Sequence, residues 1–555
     1  MDISIEQQIL QLLQDTIIEL YPRTVLIDYL DLPKDSKYGD YSTNAALRLA
    51  KIKKTSPQKI GENITRVLIS KIENREELRR QITEVKLISG FINFFLTPIV
   101  FYGILSAINA QRENYGRLSY GTGKSVNIEF VSANPTGPLS VAHGRQAAVG
   151  DILANVLEFS GYTVTREYYL NDEGNQIKLL GESVYVRYLE LFGKSYAFPV
   201  NGYCGRYIIE LAQQIQNEYG EKFLQISKDE AISFFSDYAM QRILDDIKQD
   251  LILFGVKFDQ WSSQKEIGQS GRVEETINIL KKTNFVYKKD GAAWLKSSEF
   301  GDDKDRVLVK QDGAYTYITP DIAYHQKKYS LKYDLMVNIW GPDHHGYIPR
   351  IKAAMQALGF DKEKLRILII QLTTLYRQGE IIPMSTRAGE YVTLREVRDE
   401  AGRDAARFFF VMRKCNSHLD FDLALAKQKS LDNPVYYIQY AHARICSISE
   451  FKTDTGHMKE QADLTKLDKP EEIEMIKQLA KFPKIISECV HNLEPYALTL
   501  YLRETAGLFH AYYNKYRVVT DDAALTLARR YLIDCVRQVV SNGLTILGIE
   551  PMRRM

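Results

Sequence analysis

The hydrophobic rhythm of the chain changes along its length, and each change predicts a different kind of structure. Near the amino terminus Ile5, Ile9, Leu12, Leu13, Ile17 and Leu20 recur at intervals of three and four, the spacing of one helix face. A turn-rich stretch at 32–40, LPKDSKYGD, separates this helix from further helical patterns at 45–51 and 57–72. Residues 85–96, VKLISGFINFFL, alternate well enough to predict strands around a glycine turn. Residues 1–115 therefore predict a small α+β domain.

From 116 to 425 the apolar runs are short and bounded by Gly, Pro or Asp, as at 126–131, 335–339 and 365–372. Helical patterns lie between them, at 146–159 and 348–358. Strands alternating with helices predict a parallel α/β sheet. The stretch 172–265 is largely helical and predicts an insertion. From 430 to 555 strand signals vanish. Leu527, Tyr531, Leu532, Cys535, Val536, Val539, Val540, Leu544 and Leu547 mark one amphipathic helix closing near Gly548, so an all-α bundle is expected. The polar segment 452–472 is expected to be an exposed loop.

Composition narrows the classes. A chain of 555 residues with 45% hydrophobic and 26% charged residues matches a soluble protein of about three domains. No run approaches a membrane span, and the acidic start MDISIEQQILQLLQD is not a secretory signal. Five scattered cysteines without a CxxC pair argue against a disulfide framework or a cysteine zinc site, and a cytoplasmic setting is expected. With 72 basic against 70 acidic residues, any nucleic-acid contact must come from local patches or from stacking on some of the 35 tyrosines.

One apparent motif fails. Gly121-Thr-Gly-Lys-Ser125 looks like the end of a phosphate-binding P-loop, but position 118 is Leu and a strand follows where a helix should. A turn before a strand is the better reading. The informative stretch is 126–151, VNIEFVSANPTGPLSVAHGRQAAVGD. It reads as strand, Pro/Gly-bounded loop and helix, which in a parallel sheet puts the loop where ligands bind. The helix start, between Leu139 and Gly144, offers free N–H groups and a positive dipole end suited to phosphates. His143 sits near that first turn, with Arg145 two residues on.

This segment resembles the HIGH region of class I aminoacyl-tRNA synthetases, and more narrowly that of arginyl-tRNA synthetases, whose usual form is SANPTGPLHIGHAR. Other segments agree in order along the chain: 38–50 (YGDYSTNAALRLA), 167–175 (EYYLNDEGN), 316–326 (TYITPDIAYHQ), 339–350 (IWGPDHHGYIPR), 384–394 (MSTRAGEYVTL) and 432–447 (DNPVYYIQYAHARICS). The resemblance implies a multidomain α/β protein: an N-terminal α+β tRNA-binding domain (1–115), a Rossmann-like parallel-sheet catalytic domain (116–425) and an all-α anticodon-binding domain (430–555). It implies ATP-dependent activation of L-arginine and transfer to tRNA(Arg), and that activation can require bound tRNA. A monomer without membrane attachment is expected.

The resemblance also assigns residues. The HIGH region covers Ala133, Asn134, Pro135, Thr136, Gly137, Pro138, Leu139, Ser140, Val141, Ala142 and His143. Pro135, Thr136, Gly137, Leu139, Ser140, His143 and Gly144 are expected at ATP, with Gly341, Asp343 and His344 beyond a later strand and Met384 and Ser385 in the loop resembling KMSKS. Ser140, His143, Ser385 and Arg387 are the expected catalytic residues. Arginine is expected to meet Glu129, Ser132, Asn134, His143, Tyr317, Asp321 and His344, and tRNA to meet Tyr437, Tyr440, Arg444 and Met555. The chemistry gives an independent check. A planar guanidinium pairs best with carboxylates, and Tyr317 and Asp321 stand one helical turn apart. The adjacent His344 and His345 lack a zinc partner set, so no protein-bound metal is expected; Mg²⁺ would arrive with ATP.

Two departures from the family pattern stand out. Ser140 replaces the first HIGH histidine, with Ala142 where Gly is usual, and Pro383 replaces the first loop lysine, with Thr386 at the second. Gly137 also lies where some arginyl enzymes carry a substitute lysine. Arg387, Arg145 or Lys124 could supply the missing charge. An alternative reading follows: a weakened or inactive paralogue that binds arginine or tRNA as a regulator. A class I synthetase for another amino acid is a more distant one.

Overall fold

Short β-branched runs between Gly, Pro and Asp make poor helices and good buried strands, and the structure, a computed structural model, uses them so. It describes residues 5–22, 30, 31, 33, 35–382, 391–450 and 462–555. The chain forms two compact units, one from residues 1–115, 448–481 and 507–539, the other from 116–447, 482–506 and 540–555.

In the first unit the helix Ile5–Leu20 buries Ile9, Leu12, Leu13 and Ile17, the predicted stripe. Strands β1 (Tyr41–Thr43), β2 (Ile82–Ile88) and β3 (Phe91–Leu96) form an antiparallel sheet in the order β1-β3-β2. The expected helices appear as Ala45–Lys53 and Pro57–Glu73. The end of the expected loop at 452–472 is not exposed. The helix Pro470–Ala480 begins there, and Glu472 is fully buried, accepting hydrogen bonds from Tyr512 Oη and Arg529 Nε. Residues 451–461 lie outside the described residues.

The second unit continues with β4 (Ser125–Glu129), β5 (Thr163–Leu170), β6 (Gln260–Ser263), β7 (Val286–Lys289), β8 (Ala292–Leu295), β9 (Arg306–Val309), β10 (Leu335–Trp340), β11 (Leu365–Ile369), β12 (Thr373–Arg377), β13 (Glu380–Ile381) and β14 (Leu419–Asp422). The main sheet is wholly parallel in the order β11-β10-β4-β5-β6. The chain runs outward from β4 to β5 and β6, then returns to lay β10 and β11 on the other side. The switch point, and therefore the ligand crevice, falls at the carboxyl ends of β4 and β10. The helices Asn175–Leu191, Arg206–Tyr219 and Lys228–Leu253 fill the expected helical stretch, and the edge strand β6 closes it. Gly121-Thr-Gly-Lys-Ser125 is a turn leading into β4, as expected.

From 434 onward the described residues hold helices and no strand. The last helix, Ala523–Ile546, is closed by Gly548 at φ +66°. Among the described residues no helix is long and apolar enough to cross a membrane, and no cluster of His, Cys, Asp and Glu could hold a metal ion.

Candidate functional site

Strand β4 delivers Glu129 to the crevice floor, and the chain then turns sharply. Val131 and Ser132 take φ values of +66° and +39°, a region that L residues, and β-branched ones above all, avoid. Neighbouring bonds hold this strained corner. Tyr169 N–H donates to Ser132 Oγ at 3.0 Å, and Tyr168 Oη donates to the Ala133 carbonyl at 2.8 Å. Asn134 Nδ2 donates to Gln176 Oε1 at 2.7 Å, and Thr136 N–H closes a turn on the Asn134 carbonyl.

Two tyrosines grip the rest of the loop. Tyr207 Oη donates to the Thr136 carbonyl at 2.8 Å, and Tyr391 Oη to the Pro138 carbonyl at 2.9 Å. Both hydroxyls crowd Gly137: a Cβ there would lie 3.0 Å from Tyr207 Oη and 3.1 Å from Tyr391 Oη. Burial pushes the Tyr391 phenol up to about 12, so it remains a neutral donor. The segment from Tyr391 pairs with the loop as well. Val141 N–H donates to the Val392 carbonyl, and Leu394 N–H to the buried Leu139. Gly144 lets Leu394 pack closely, since a Cβ would meet its Cδ1 at 2.8 Å. The segment 391–394, which follows Met384, Ser385 and Arg387 in the chain, is thus fastened to the HIGH-like segment. Those three residues, with Pro383 and Thr386, lie outside the described residues.

The helix Val141–Phe159 starts at Ser140 with a reciprocal cap. Ser140 N–H donates to His143 Nδ1 at 3.1 Å, with Ser140 Oγ 3.2 Å from the same nitrogen. Nδ1 is therefore an acceptor, and the proton of the neutral ring sits on Nε2. Desolvation lowers His143 to about 4, with Asp343 opposing. The ring thus offers a neutral Nε2–H near the helix N-terminus.

The cations considered for this end fare differently. Arg145 is fully buried, donating to the Gln371, Lys414 and Ser417 carbonyls at 2.8–3.0 Å. Lys124 precedes β4, so it stands at the opposite end of the sheet from the crevice. Neither is placed to serve phosphates, and Arg387 lies outside the described residues.

The helix Ile318–Ser330 supplies the other wall. Asp321 accepts from Tyr347 Oη at 2.6 Å and Tyr169 Oη at 3.4 Å. Desolvation raises it to about 6, the Tyr347 hydrogen bond pulling the other way and the Glu129 charge adding to the rise. Tyr317, 70% exposed, stacks on Tyr347 and accepts from Arg350 Nη1 at 2.9 Å. The expected pairing of Tyr317 with Asp321 therefore runs through Tyr347. At the end of β10, Gly341 leads into a 3-10 turn, Pro342–Tyr347, that presents exposed Asp343 and His344 with their side chains 3.2 Å apart.

Sequence reasoning passed over the residues beneath Glu129. Its Oε2 accepts from Tyr324 Oη and Lys328 Nζ, both at 2.9 Å, whereas among the described residues Oε1 has only Ser132 Oγ at 3.4 Å. Lys328 is 1% exposed and also donates to Asn338 Oδ1 at 2.8 Å. With that amide oxygen taken, Asn338 Nδ2 faces His325 Nε2 at 3.0 Å, and His325 Nδ1 faces the Asp321 carbonyl at 2.8 Å. Nε2 accepts and Nδ1 donates, so His325 is neutral; desolvation and the Lys328 charge lower it to about 3. A signal was available: positions 321, 324, 325 and 328 fall at helical spacing on one face.

Of the tRNA candidates, Tyr437, Tyr440 and Arg444 lie on the helix Pro434–Glu450 and Met555 at the last position of the sequence. Tyr436 and Tyr440 stack at 6.1 Å, and Arg444 Nη1 donates to Tyr440 Oη at 2.9 Å. Tyr437 is half-buried, and Met555 is exposed. His442 is buried against the Met552 carbonyl. Arg529 is turned inward onto Glu472.

Comparison with known proteins fits this geometry. The family model for the arginyl tRNA synthetase N terminal domain matches residues 4–96, that for tRNA synthetases class I (R), catalytic domain, matches 105–422, and that for the DALR anticodon binding domain matches 438–555. The arginine--tRNA ligase of Syntrophotalea carbinolica is 44% identical over 97% of this chain and 96% of its own. That of Desulfosudis oleivorans is 45% identical over 95% and 94%. In fold, the Thermus thermophilus arginyl-tRNA synthetase is similar at a TM-score of 0.76, with 21% identity over 99% of this chain and all of that one.

Proposed function

We propose that this chain, which belongs to the arginyl-tRNA synthetase family, activates L-arginine with ATP and transfers the arginyl group to tRNA(Arg). The observation that carries this reading is one crevice at a topological switch point, with buried Glu129 and half-buried Asp321 on one wall and a helix N-terminus on the other. The substrate carboxylate attacks the α-phosphate of ATP, pyrophosphate leaves, and a terminal ribose hydroxyl of tRNA then takes the arginyl group from the adenylate. Such a displacement asks the protein for positioning and charge stabilisation more than for covalent help.

In this reading Asp321 takes the guanidinium, with Tyr317 and Tyr347 as its walls. Glu129, Ser132 and Asn134 receive the α-amino group. The 135–140 loop, the Gly341–His344 turn and the first turn of the helix Val141–Phe159 hold ATP with its Mg²⁺, and His143 Nε2–H donates to the developing phosphoryl charge. Ser140 acts by capping and by fixing that tautomer. Ser385 and Arg387 complete the phosphate end from the loop, and His344 borders both substrates. Residues 1–115 form the N-terminal tRNA-binding domain, 116–425 the catalytic domain with its insertion at 172–265, and 430–555 the anticodon-binding domain, where Tyr437, Tyr440, Arg444 and Met555 meet tRNA. The protein works as a cytoplasmic monomer.

The test is charging of tRNA with radiolabelled arginine, beside ATP–pyrophosphate exchange with and without that tRNA. Charging is expected, with exchange dependent on tRNA. A folded protein that binds tRNA and arginine but charges nothing would overturn the reading.

A further inference from the structure

The crevice floor holds more buried charge than the two substrate carboxylates explain. Asn338 on β10, Glu129 on β4 and Glu167 on β5 are register partners, one beside the next across three parallel strands. All three are nearly or wholly buried. Glu167 is occupied within the protein: Ser262 Oγ donates to its Oε1 at 2.5 Å and Asn127 Nδ2 to its Oε2 at 2.7 Å. Lys328 Nζ reaches over the row, 2.9 Å from Glu129 and 3.9 Å from Glu167. Two adjacent carboxylates cannot both stay ionised out of water without a cation between them. One lysine against two carboxylates leaves the floor with one negative charge in excess.

Where that charge is offered follows from the hydrogen bonds. Tyr324 and Lys328 both bind Oε2 of Glu129, while Oε1, touched among the described residues by Ser132 at 3.4 Å, keeps acceptor capacity toward the strained corner at 131–132. We propose that Lys328 is a positioning residue for the substrate's α-ammonium: it balances Glu167, pins one oxygen of Glu129 and leaves the other facing the crevice. This rests on the assignment of Glu129 to arginine. Lys328 touches no substrate itself. The helix that carries Asp321 for the guanidinium thus also sets, two turns later, the carboxylate for the other end of the same molecule.

The test uses L-arginine and 5-guanidinopentanoate, the same molecule without its α-amino group. Calorimetric Kd values for both, and charging KM values for arginine and ATP, are measured on the full chain and on Lys328→Met, Lys328→Met/Glu167→Gln and Glu129→Gln. The double variant removes one charge of each sign and remains informative if the single one does not fold. Losing a charge-assisted contact should raise Kd and KM for arginine roughly ten- to hundredfold in the Lys328 variants. Their Kd for 5-guanidinopentanoate and KM for ATP should stay at wild-type values. Equal weakening of both guanidino ligands, or unchanged or tighter arginine binding, would overturn the role of Lys328. If Glu129→Gln alone leaves arginine binding intact, the assignment of Glu129 fails. If it weakens arginine while the folded Lys328 variants do not, only the Lys328 proposal falls.

Discussion

The two walls of the crevice, one proposed for arginine and one for the phosphates of ATP, meet at the carboxyl ends of the same sheet but use different physics. The arginine wall is built of carboxylates held by tyrosines and a lysine, with Asp321 raised to about 6 among Tyr347 and Tyr169. The phosphate wall has a helix N-terminus, a loop gripped by two tyrosines, and a histidine whose ring is kept neutral. In the proposed reading one wall recognises by formal charge and the other by aligned dipoles and donors; Arg145 is spent on backbone carbonyls elsewhere. A recognition site for a fixed cation can carry permanent charge. A site where charge only develops gains more from donors already in place.

The largest break in this comparison should come from Asp321→Asn. It removes the charge and keeps the shape, so arginine Kd is expected to rise roughly a hundredfold, the scale of a lost charged hydrogen bond. ATP binding should be unchanged. Calorimetry with each ligand checks this, and loss of both together would mean that the walls are not separate. On the phosphate side, His143→Asn can keep an acceptor for Ser140 N–H while deleting Nε2–H. Turnover should fall roughly ten- to hundredfold with arginine Kd near wild type. A fall in arginine affinity of the same size, without loss of turnover, would remove His143 from the phosphoryl step.

The difference in charge also predicts a difference in pH. Asp321 carries its charge above about pH 6 and loses it below, so arginine affinity is full above that value and falls as pH drops through it. Well below pH 6 the Kd should approach a tenfold rise per pH unit. His143, lowered to about 4, stays neutral across the same range, so the KM for ATP should be flat from about pH 5 to 8. Coinciding profiles for the two substrates would contradict the separation. In Asp321→Asn the arginine profile should lose its step.

How much of this was legible in the sequence depends on what carried the signal. The strands at 125–129, 335–340 and 365–369 showed themselves as short branched apolar runs between helical patterns. The strands at 286–309 and 380–381 span two to four residues, too few for any periodicity to register. Asp321, Tyr317 and His143 are singled out by the motifs around them. Tyr324, His325 and Lys328 were missed because polar residues on one helix face ordinarily face water; this face is buried against the strand ends instead. Arg145 misled in the opposite sense. A cation beside a phosphate motif suggests a phosphate, yet Arg145 is satisfied by interior carbonyls, which no spacing rule records.

The smallest expected effect tests the seam between the loop and the HIGH-like segment. Tyr391 lies within the segment 384–394 that resembles the KMSKS loop, and its hydroxyl holds the Pro138 carbonyl while Val392 and Leu394 pair with Val141 and Leu139. Tyr391→Phe deletes one neutral hydrogen bond, worth about 0.5–1.5 kcal/mol, and leaves the ring and the backbone pairing in place. The carbonyl it frees belongs to the loop that would lie along ATP. The KM for ATP is therefore expected to rise roughly two- to tenfold, the same energy in rate terms, with the KM for arginine unmoved. Steady-state charging with each substrate varied in turn decides it. A shift in the arginine term instead would mean that the tyrosine grip on Thr136–Pro138 sets the strained corner at 131–132, and that the two walls are joined through the loop.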